Sequence, residues 1–188
     1  TVVITTNVHQ QTRQFIEEAR AIAEAEPIRT VVFRGKSSMC HIDVGYEECQ
    51  ALRDTTRELV DKEEDIAELE EREGELLDAS RSGNGEAAEA RGAVMDELEE
   101  LQTGIEALVE ERNICERYYN NLTAETDEFY GWLFDDVRTP DEIYEYADGR
   151  DLCGYELLKE GMEGIDLAIC NYHHLLDPTI REQFFRWL

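Results

Sequence analysis

Two long runs of charged, proline-free sequence leave this chain little choice of architecture. From about Tyr46 to Ala79 and from Glu86 to Ile114, apolar residues recur at alternating steps of four and three. In the second run they are Val94, Leu98, Leu101, Ile105 and Leu108. In the first they are Leu52, Leu59, Ile66, Leu69 and Leu76, with gaps. This spacing is the seam of paired helices. Ser80-Arg81-Ser82-Gly83-Asn84-Gly85, between the runs, is turn chemistry. The pattern predicts an antiparallel coiled-coil hairpin over about 46–114, with arms on the order of 45–50 Å long. Such a hairpin is a projection and not a core element.

The flanks read differently. Val2–Thr5 is a short β-branched run, the stretch from about Val8 to Ala25 carries Phe15, Ala19 and Ile22 or Ala23 on one helical face, and Thr30–Phe33 is a second β-branched run. Strand, helix and strand at this length make a βαβ unit, so two parallel strands of an α/β sheet are expected. Ile165–Cys170 is a third candidate strand. After it, Asp177-Pro178 reads as N-cap and first helical residue of a helix presenting Ile180, Phe184 and Leu188.

Charge narrows the partners. The chain carries 45 acidic and 18 basic residues, a net charge of -27. Residues 1–45 hold five of each sign and are neutral, 46–114 carry -16 and 115–188 carry -11. Most of the surface therefore repels a phosphate backbone, and only the first segment is open to an anionic partner. The acidity extends beyond the helices, as expected of a proteome adapted to high salt, the alternative being an acidic coiled-coil protein of an ordinary cytoplasm. No run of apolar residues is long enough to cross a membrane. The opening residues show no signal peptide, so a reducing, cytoplasmic setting is expected for the five cysteines.

The hairpin implies a place for four of them. Cys49 lies three residues before Leu52 and Cys115 seven after Leu108, both on the seam, and their midpoint falls in the turn. Arms in register would bring these two face to face at the base. Cys40 precedes the hairpin closely, and Cys153 lies just before Tyr155–Lys159. Four thiolates at one junction suit a tetrahedral zinc or an iron–sulfur cluster. The absence of paired C-x2–4-C knuckles leaves zinc, cluster and four unrelated buried thiols all open. Cys170, in an apolar run, reads as a small hydrophobe.

Other features carry less. Gly35-Lys36-Ser37 looks like the end of a phosphate-binding loop, but the first glycine that loop requires is replaced by Thr30. No DEAH box occurs. Thr139-Pro140-Asp141-Glu142 is a capping box. His173-His174 would point apart on a strand, which argues against shared ligation. Tyr118, Tyr119, Phe129, Tyr130, Trp132 and Phe134 fit a small core better than a base-stacking platform.

Five segments, in order, resemble one enzyme family. Val-Val-Ile-Thr-Thr-Asn-Val-His-Gln-Gln at 2–11 resembles motif Ia of superfamily 2 DNA helicases. Residues 31–40, ending Ser-Ser-Met-Cys, are similar to the segment that delivers the first cluster cysteine in the XPD and DinG type of helicase. Ile-Cys-Glu-Arg-Tyr-Tyr at 114–119 resembles that family's third-cysteine segment and Leu-Cys-Gly-Tyr-Glu-Leu-Leu at 152–158 its fourth. Cys-Asn-Tyr-His-His-Leu-Leu-Asp-Pro at 170–178 resembles the stretch that precedes the DEAH box.

The resemblance implies that Cys40, Cys49, Cys115 and Cys153 hold a 4Fe-4S cluster. It also implies an ATP-dependent enzyme that unwinds DNA in the 5′ to 3′ direction, working on single-stranded DNA at a fork, from a salt-tolerant archaeon. Motif Ia would contact the DNA backbone through Thr5, Asn7, His9 and Gln10, with Asn171, Tyr172 and His173 as further candidates. The fold expected is part of a RecA-like parallel-sheet domain at 1–39, an inserted, mainly helical iron–sulfur domain at 40–160 carrying the hairpin, and the sheet domain again at 161–188. With neither Walker A nor DEAH box, the chain reads as an internal fragment. ATP and Mg would be used only by the full-length protein, with the remainder of the helicase chain and a protein at the hairpin tip as partners. The competing readings are a non-enzymatic acidic coiled-coil module closed by a zinc site of four cysteines, and a structural hairpin protein with thiols and no metal.

Overall fold

The structure, a computed structural model, describes residues 1–110 and 113–188, with the side chain of His9 excepted. Residues 111 and 112 of the expected second hairpin arm lie outside the described residues.

The chain divides into two compact units, one of residues 1–46 and 123–188, the other of residues 47–122. The first is built on three parallel strands: β1 (Val2–Thr6), β2 (Thr30–Phe33) and β3 (Leu167–Asn171). Their order is β1-β3-β2, so the two strands of the βαβ unit are parallel, as the sequence implies, but β3 lies between them. Leu-Ala-Ile-Cys-Asn is buried at its first four positions, as a central parallel strand covered on both faces requires. The strand starts two residues later than its apolar run, because Asp166 is spent on an anchor. Its carboxylate accepts from the Arg29 N–H at 2.9 Å, and its own N–H donates to the Arg29 carbonyl at 2.9 Å.

Each face of the sheet is covered. Helix α1 (His9–Ala23) buries Ile16 and Ala19 against Val32, Leu167 and Ile169, with Val137 alongside. On the opposite face Val31, Phe33, Ala168 and Cys170 join a larger core. That core is supplied by α5 (Asp127–Asp135), α6 (Pro140–Asp148), α7 (Gly154–Glu160) and α9 (Pro178–Trp187). Phe129, Leu133, Ile143, Leu157 and Leu158 therefore share one core with the sheet. The Thr139 capping box forms with both bonds in place, Glu142 N–H to Thr139 Oγ1 at 3.1 Å and Thr139 N–H to Glu142 at 2.7 Å. Asp177 caps α9 through the N–H groups of Thr179 and Ile180. Of the apolar face expected on α9 only Phe184 is fully buried. Ile180 is 38% exposed, since the helix meets the core through its last turn, at Phe184, Trp187 and Leu188.

The second unit contains nearly all of α2 (Tyr46–Arg81), α3 (Gly85–Glu110) and most of α4 (Glu116–Thr123). Along α3 the sheltered positions are Ala87, Arg91, Val94, Leu98, Leu101, Gly104, Ile105 and Leu108, which contain the four-and-three alternation read from the sequence. Arg91 pairs with Glu73, and a Cβ placed on Gly104 would meet Lys62 Cε at 3.7 Å. Residue numbers thus fall along α2 as they rise along α3. The link reverses at Gly83, whose φ of 93° lies in the left-handed region open to glycine. Asn84 Oδ1 then accepts from the Ala87 N–H and caps α3.

Candidate functional site

Parallel strands deliver their carboxyl ends, and the loops after them, to one edge, and in open α/β sheets that edge is where ligands bind. Here β1 ends at Thr6, β2 at Phe33 and β3 at Asn171. A cleft of about 180 Å³ opens there, lined by Thr6, Asn7, Thr12, Arg34, Ser38 and Asn171. Three elements fix its walls. Thr6 Oγ1 and Thr12 Oγ1 share a hydrogen bond at 2.7 Å, tying β1 to the first turn of α1. Arg34 is held by Asp141 through two bonds, Nη1 to Oδ1 at 2.6 Å and Nη2 to Oδ2 at 3.3 Å. Asn171 Oδ1 accepts from the His173 N–H at 3.0 Å, which leaves its amide NH2 as a donor. Beside these donors and the Arg34 guanidinium, the lining includes the apolar Val8, Phe33 and Cys170.

Of the residues expected on motif grounds, Asn7 and Asn171 line this cleft together. Thr5 is exposed, on the face of β1 opposite Thr6, and Gln10 is exposed on α1. His9 opens α1, but its side chain lies outside the described residues. The Tyr172 and His173 rings lie 4.1 Å apart, tilted by 34°, with His173 exposed. His173 and His174 begin a short helix, α8 (His173–Leu176), and do not sit on a strand. His174 is buried, with Nδ1 3.0 Å from the Asn171 carbonyl and its ring against Phe33 and Phe184. Burial holds its pKa below the ordinary value. Sequence reasoning missed Thr6, Thr12, Arg34 and Ser38. The available signal was Arg34-Gly35-Lys36-Ser37-Ser38, a cation and hydroxyl cluster in the only neutral segment, set aside once it failed as a phosphate-binding loop. The structure makes Lys36–Ser38 a single 3-10 turn.

Several aromatic rings around α5 and α6 are engaged by neighbours. Trp132 stacks on Tyr146 at 4.2 Å, Arg138 covers the indole at 4.7 Å and Arg150 covers the phenol at 3.8 Å. Phe129 is fully buried.

The cysteines are divided between the units, Cys40, Cys153 and Cys170 in the first and Cys49 and Cys115 in the second. Cys40 follows the 3-10 turn. The loop after it is held by Lys36 Nζ, which donates to the carbonyls of Val44 at 2.6 Å and Gly45 at 3.0 Å. Cys153 occupies the N-cap position of α7 and packs against the large core. Cys115 is buried, and its N–H donates to Thr56 Oγ1 at 2.8 Å. That places its backbone beside Thr56, seven residues and two turns along α2 from Cys49, a rise of about 10 Å. The in-register extrapolation put Cys115 opposite Cys49. Asn113 and Ile114, the described residues just before Cys115, are not helical. Four thiols have the number and softness for a 4Fe-4S cluster. Among the described residues, however, no three His, Cys, Asp or Glu side chains are grouped to hold a metal ion. Cys170 is only 1% exposed, and burial pushes its thiol up to about 12, as for a small core hydrophobe.

The family follows from the whole chain. The model of the DEAD_2 family, a helicase-family domain, matches residues 4–187, from β1 to the end of α9. The chain belongs to the DEAD_2 family. As a DEAD_2 domain it is of a kind whose full proteins use ATP and Mg and bind nucleic acid. The match takes in both the strand-edge cleft and all four candidate ligand cysteines. No helix among the described residues is long and apolar enough to cross a membrane.

Proposed function

We propose that this DEAD_2 chain is the part of an ATP-dependent, 5′ to 3′ DNA helicase that runs from motif Ia to just before the DEAH box. Single-stranded DNA passes the carboxyl edge of the sheet, where Asn7 and Asn171 meet its backbone, with Thr5, His9, Gln10, Tyr172 and His173 as flanking contacts. The family match over residues 4–187 carries this reading, and a donor-rich cleft at the ligand-binding edge of a parallel sheet supports it. The chain's net charge of -27 confines such contact to this neutral first segment and its neighbours, and fits a protein of a high-salt cell.

In the same reading Cys40, Cys49, Cys115 and Cys153 hold a structural 4Fe-4S cluster in an inserted domain at 40–160. The two long helices form that domain's coiled-coil arm, whose tip is open to a protein partner. Support for the cluster is the ordered resemblance of the cysteine segments and the chemistry of four thiolates. ATP binding and hydrolysis belong to other sequence of the helicase.

Purification of the chain without oxygen, followed by iron, sulfide and zinc analysis, tests the cluster. Iron and acid-labile sulfide are expected, with loss of both in Cys115→Ser. Zinc alone would support the module reading instead, and no metal at all would remove the cluster. Binding of a labelled oligothymidylate, weakened by Asn7→Ala and Asn171→Ala, tests the DNA edge.

A further inference from the structure

The turn that joins α2 to α3 carries a reactive pair that the helicase reading does not use. Of the six asparagines in the chain only Asn84 is followed by glycine; the others precede Val8, Ile114, Asn121, Leu122 and Tyr172. The backbone nitrogen of the next residue can attack an asparagine side-chain amide and close a cyclic imide, which is why asparagine counts among the thermolabile residues. A side chain on that next residue crowds the attack. Glycine has none.

The structure leaves the pair open. Residues 81–86 are all exposed, and a Cβ built on Gly85 would meet nothing within 4 Å. Gly85 is the first residue of α3, so its N–H is one of the four at a helix start that the helical ladder does not use. On the α2 side the backbone is fixed, with the Asn84 N–H donating to the Ala79 carbonyl at 3.3 Å. The side chain is held by one bond, in which Asn84 Oδ1 accepts from the Ala87 N–H at 3.3 Å, longer than the usual length of about 2.9–3.0 Å. That bond also aims a donor and the positive end of a 26-residue helix at the oxygen on which negative charge builds during attack.

We propose that Asn84 is a self-modification site at the tip of the hairpin, where its side-chain amide is converted to an acid through a succinimide formed with Gly85. The Gly85 nitrogen bonds to Asn84 Cγ, the Cγ–Nδ2 bond breaks, and ammonia leaves with the proton that Gly85 loses. Water then opens the ring at one of its two carbonyls. Opening at Cγ gives aspartate; opening at the main-chain carbonyl gives isoaspartate, with the backbone rerouted through Cβ and Cγ. The products act on α3 in opposite senses. Aspartate keeps the acceptor for Ala87 and places a full negative charge at a helix N-terminus, where it is favoured. Isoaspartate lengthens the link and takes the carboxylate out of the cap position. Either product adds a negative charge to a segment, 46–114, that already carries -16.

The test uses the whole chain, held at pH 8 and sampled over time by tryptic mass mapping. Cleavage at Arg81 and Arg91 isolates residues 82–91, in which Asn84 is the sole amide side chain. Conversion of this peptide from amide to acid is expected, as aspartate and isoaspartate together, while the peptides holding Asn7 and Asn171 stay unconverted. A peptide that converts only after the chain is denatured would mean that the cap holds the amide away from Gly85, and overturns the proposal. So does conversion in neither state. Gly85→Ala fits in open space and is expected to slow the reaction strongly. Conversion at the wild-type rate in that variant overturns attack by the Gly85 nitrogen, since direct hydrolysis of the amide does not depend on the next residue. Asn84→Asp supplies one product directly and is expected to melt no lower than fresh wild type, whereas aged protein rich in isoaspartate melts lower. The reverse order overturns the two-product account.

Discussion

The backbone N–H of Cys115 donates to the hydroxyl of Thr56 over 2.8 Å. Thr56 is fully buried, and its own proton goes to the Leu52 carbonyl at 2.6 Å. One hydroxyl thus joins the helical ladder of α2 to the segment that carries Cys115 into α4. Nearby, Arg57 hydrogen-bonds the Tyr118 hydroxyl, and the Tyr119 hydroxyl donates to Glu63 at 2.8 Å. The start of α4 is therefore fastened to α2 by several polar links, with Thr56 the innermost.

Replacing Thr56 by Val keeps the shape and removes the acceptor, stranding a buried N–H, which costs about 1–3 kcal/mol. Thr56→Ser restores the hydroxyl and should return most of that. Urea denaturation of the three proteins measures it. Equal midpoints for Val and Ser would mean the bond contributes nothing.

Cys170 should be chemically silent in the folded protein. With its thiol near 12 and its side chain 1% exposed, the thiolate at pH 8 is only about one part in ten thousand, and thiolate is the reactive form. Alkylation followed by peptide mass mapping should leave Cys170 unmodified until denaturant is added. Labelling at the rate of the unfolded chain would show that β3 is not the closed central strand of the sheet.

His174 gives the fold an acid-sensitive element. Burial lowers its folded pKa from 6.5, opposed by the bond to the Asn171 carbonyl, with the neighbouring His173 adding to the lowering. A histidine depressed in the fold binds protons more readily when unfolded. Its contribution is therefore intact above the unfolded value and is lost as pH falls below it. Stability measured between pH 7.5 and pH 5 should fall more steeply in wild type than in His174→Leu. Parallel slopes would assign the acid sensitivity to carboxylates alone.

The sequence was most legible where one interaction dominates. The four-and-three alternation on α3 survives because a narrow apolar stripe has a single way to be covered, and Asp177-Pro178 and the Thr139 box survive because capping is local. What was not legible depended on tertiary placement. Nothing in Thr30–Phe33 or Val2–Thr6 says that β3, over 130 residues later, will lie between them. Arg34 and Ser38 look like fragments of a failed phosphate-binding loop until three strand ends bring them beside Asn7 and Asn171. DNA contact was suggested by likeness to a family, whereas four thiols at one junction were read from the hairpin's spacing and only their 4Fe-4S identity from the likeness.

A pair of glycines separates packing from propensity in the first unit. Gly154 follows Cys153 at the start of α7, and a Cβ there would lie 3.1 Å from the Ala147 Cβ and 3.5 Å from Ile143 Cγ2. Those neighbours are fully buried in α6, so they have little room to give. Gly131 lies inside α5, and a Cβ there would meet nothing within 4 Å. Alanine in a helix gains about 0.5–1 kcal/mol over glycine, whereas forcing a methyl into a filled core costs about 1–3 kcal/mol. Gly131→Ala should therefore raise the melting temperature, by roughly 2–4 °C for about 1 kcal/mol in a chain of this size. Gly154→Ala should lower it by a similar amount, since overpacking outweighs a propensity gain that is small at the first helical position. The same shift also presses on the backbone that carries Cys153, so iron content, where iron is bound, should fall in Gly154→Ala and not in Gly131→Ala. Stabilisation by both substitutions would mean that α6 and α7 are not in close contact at Gly154.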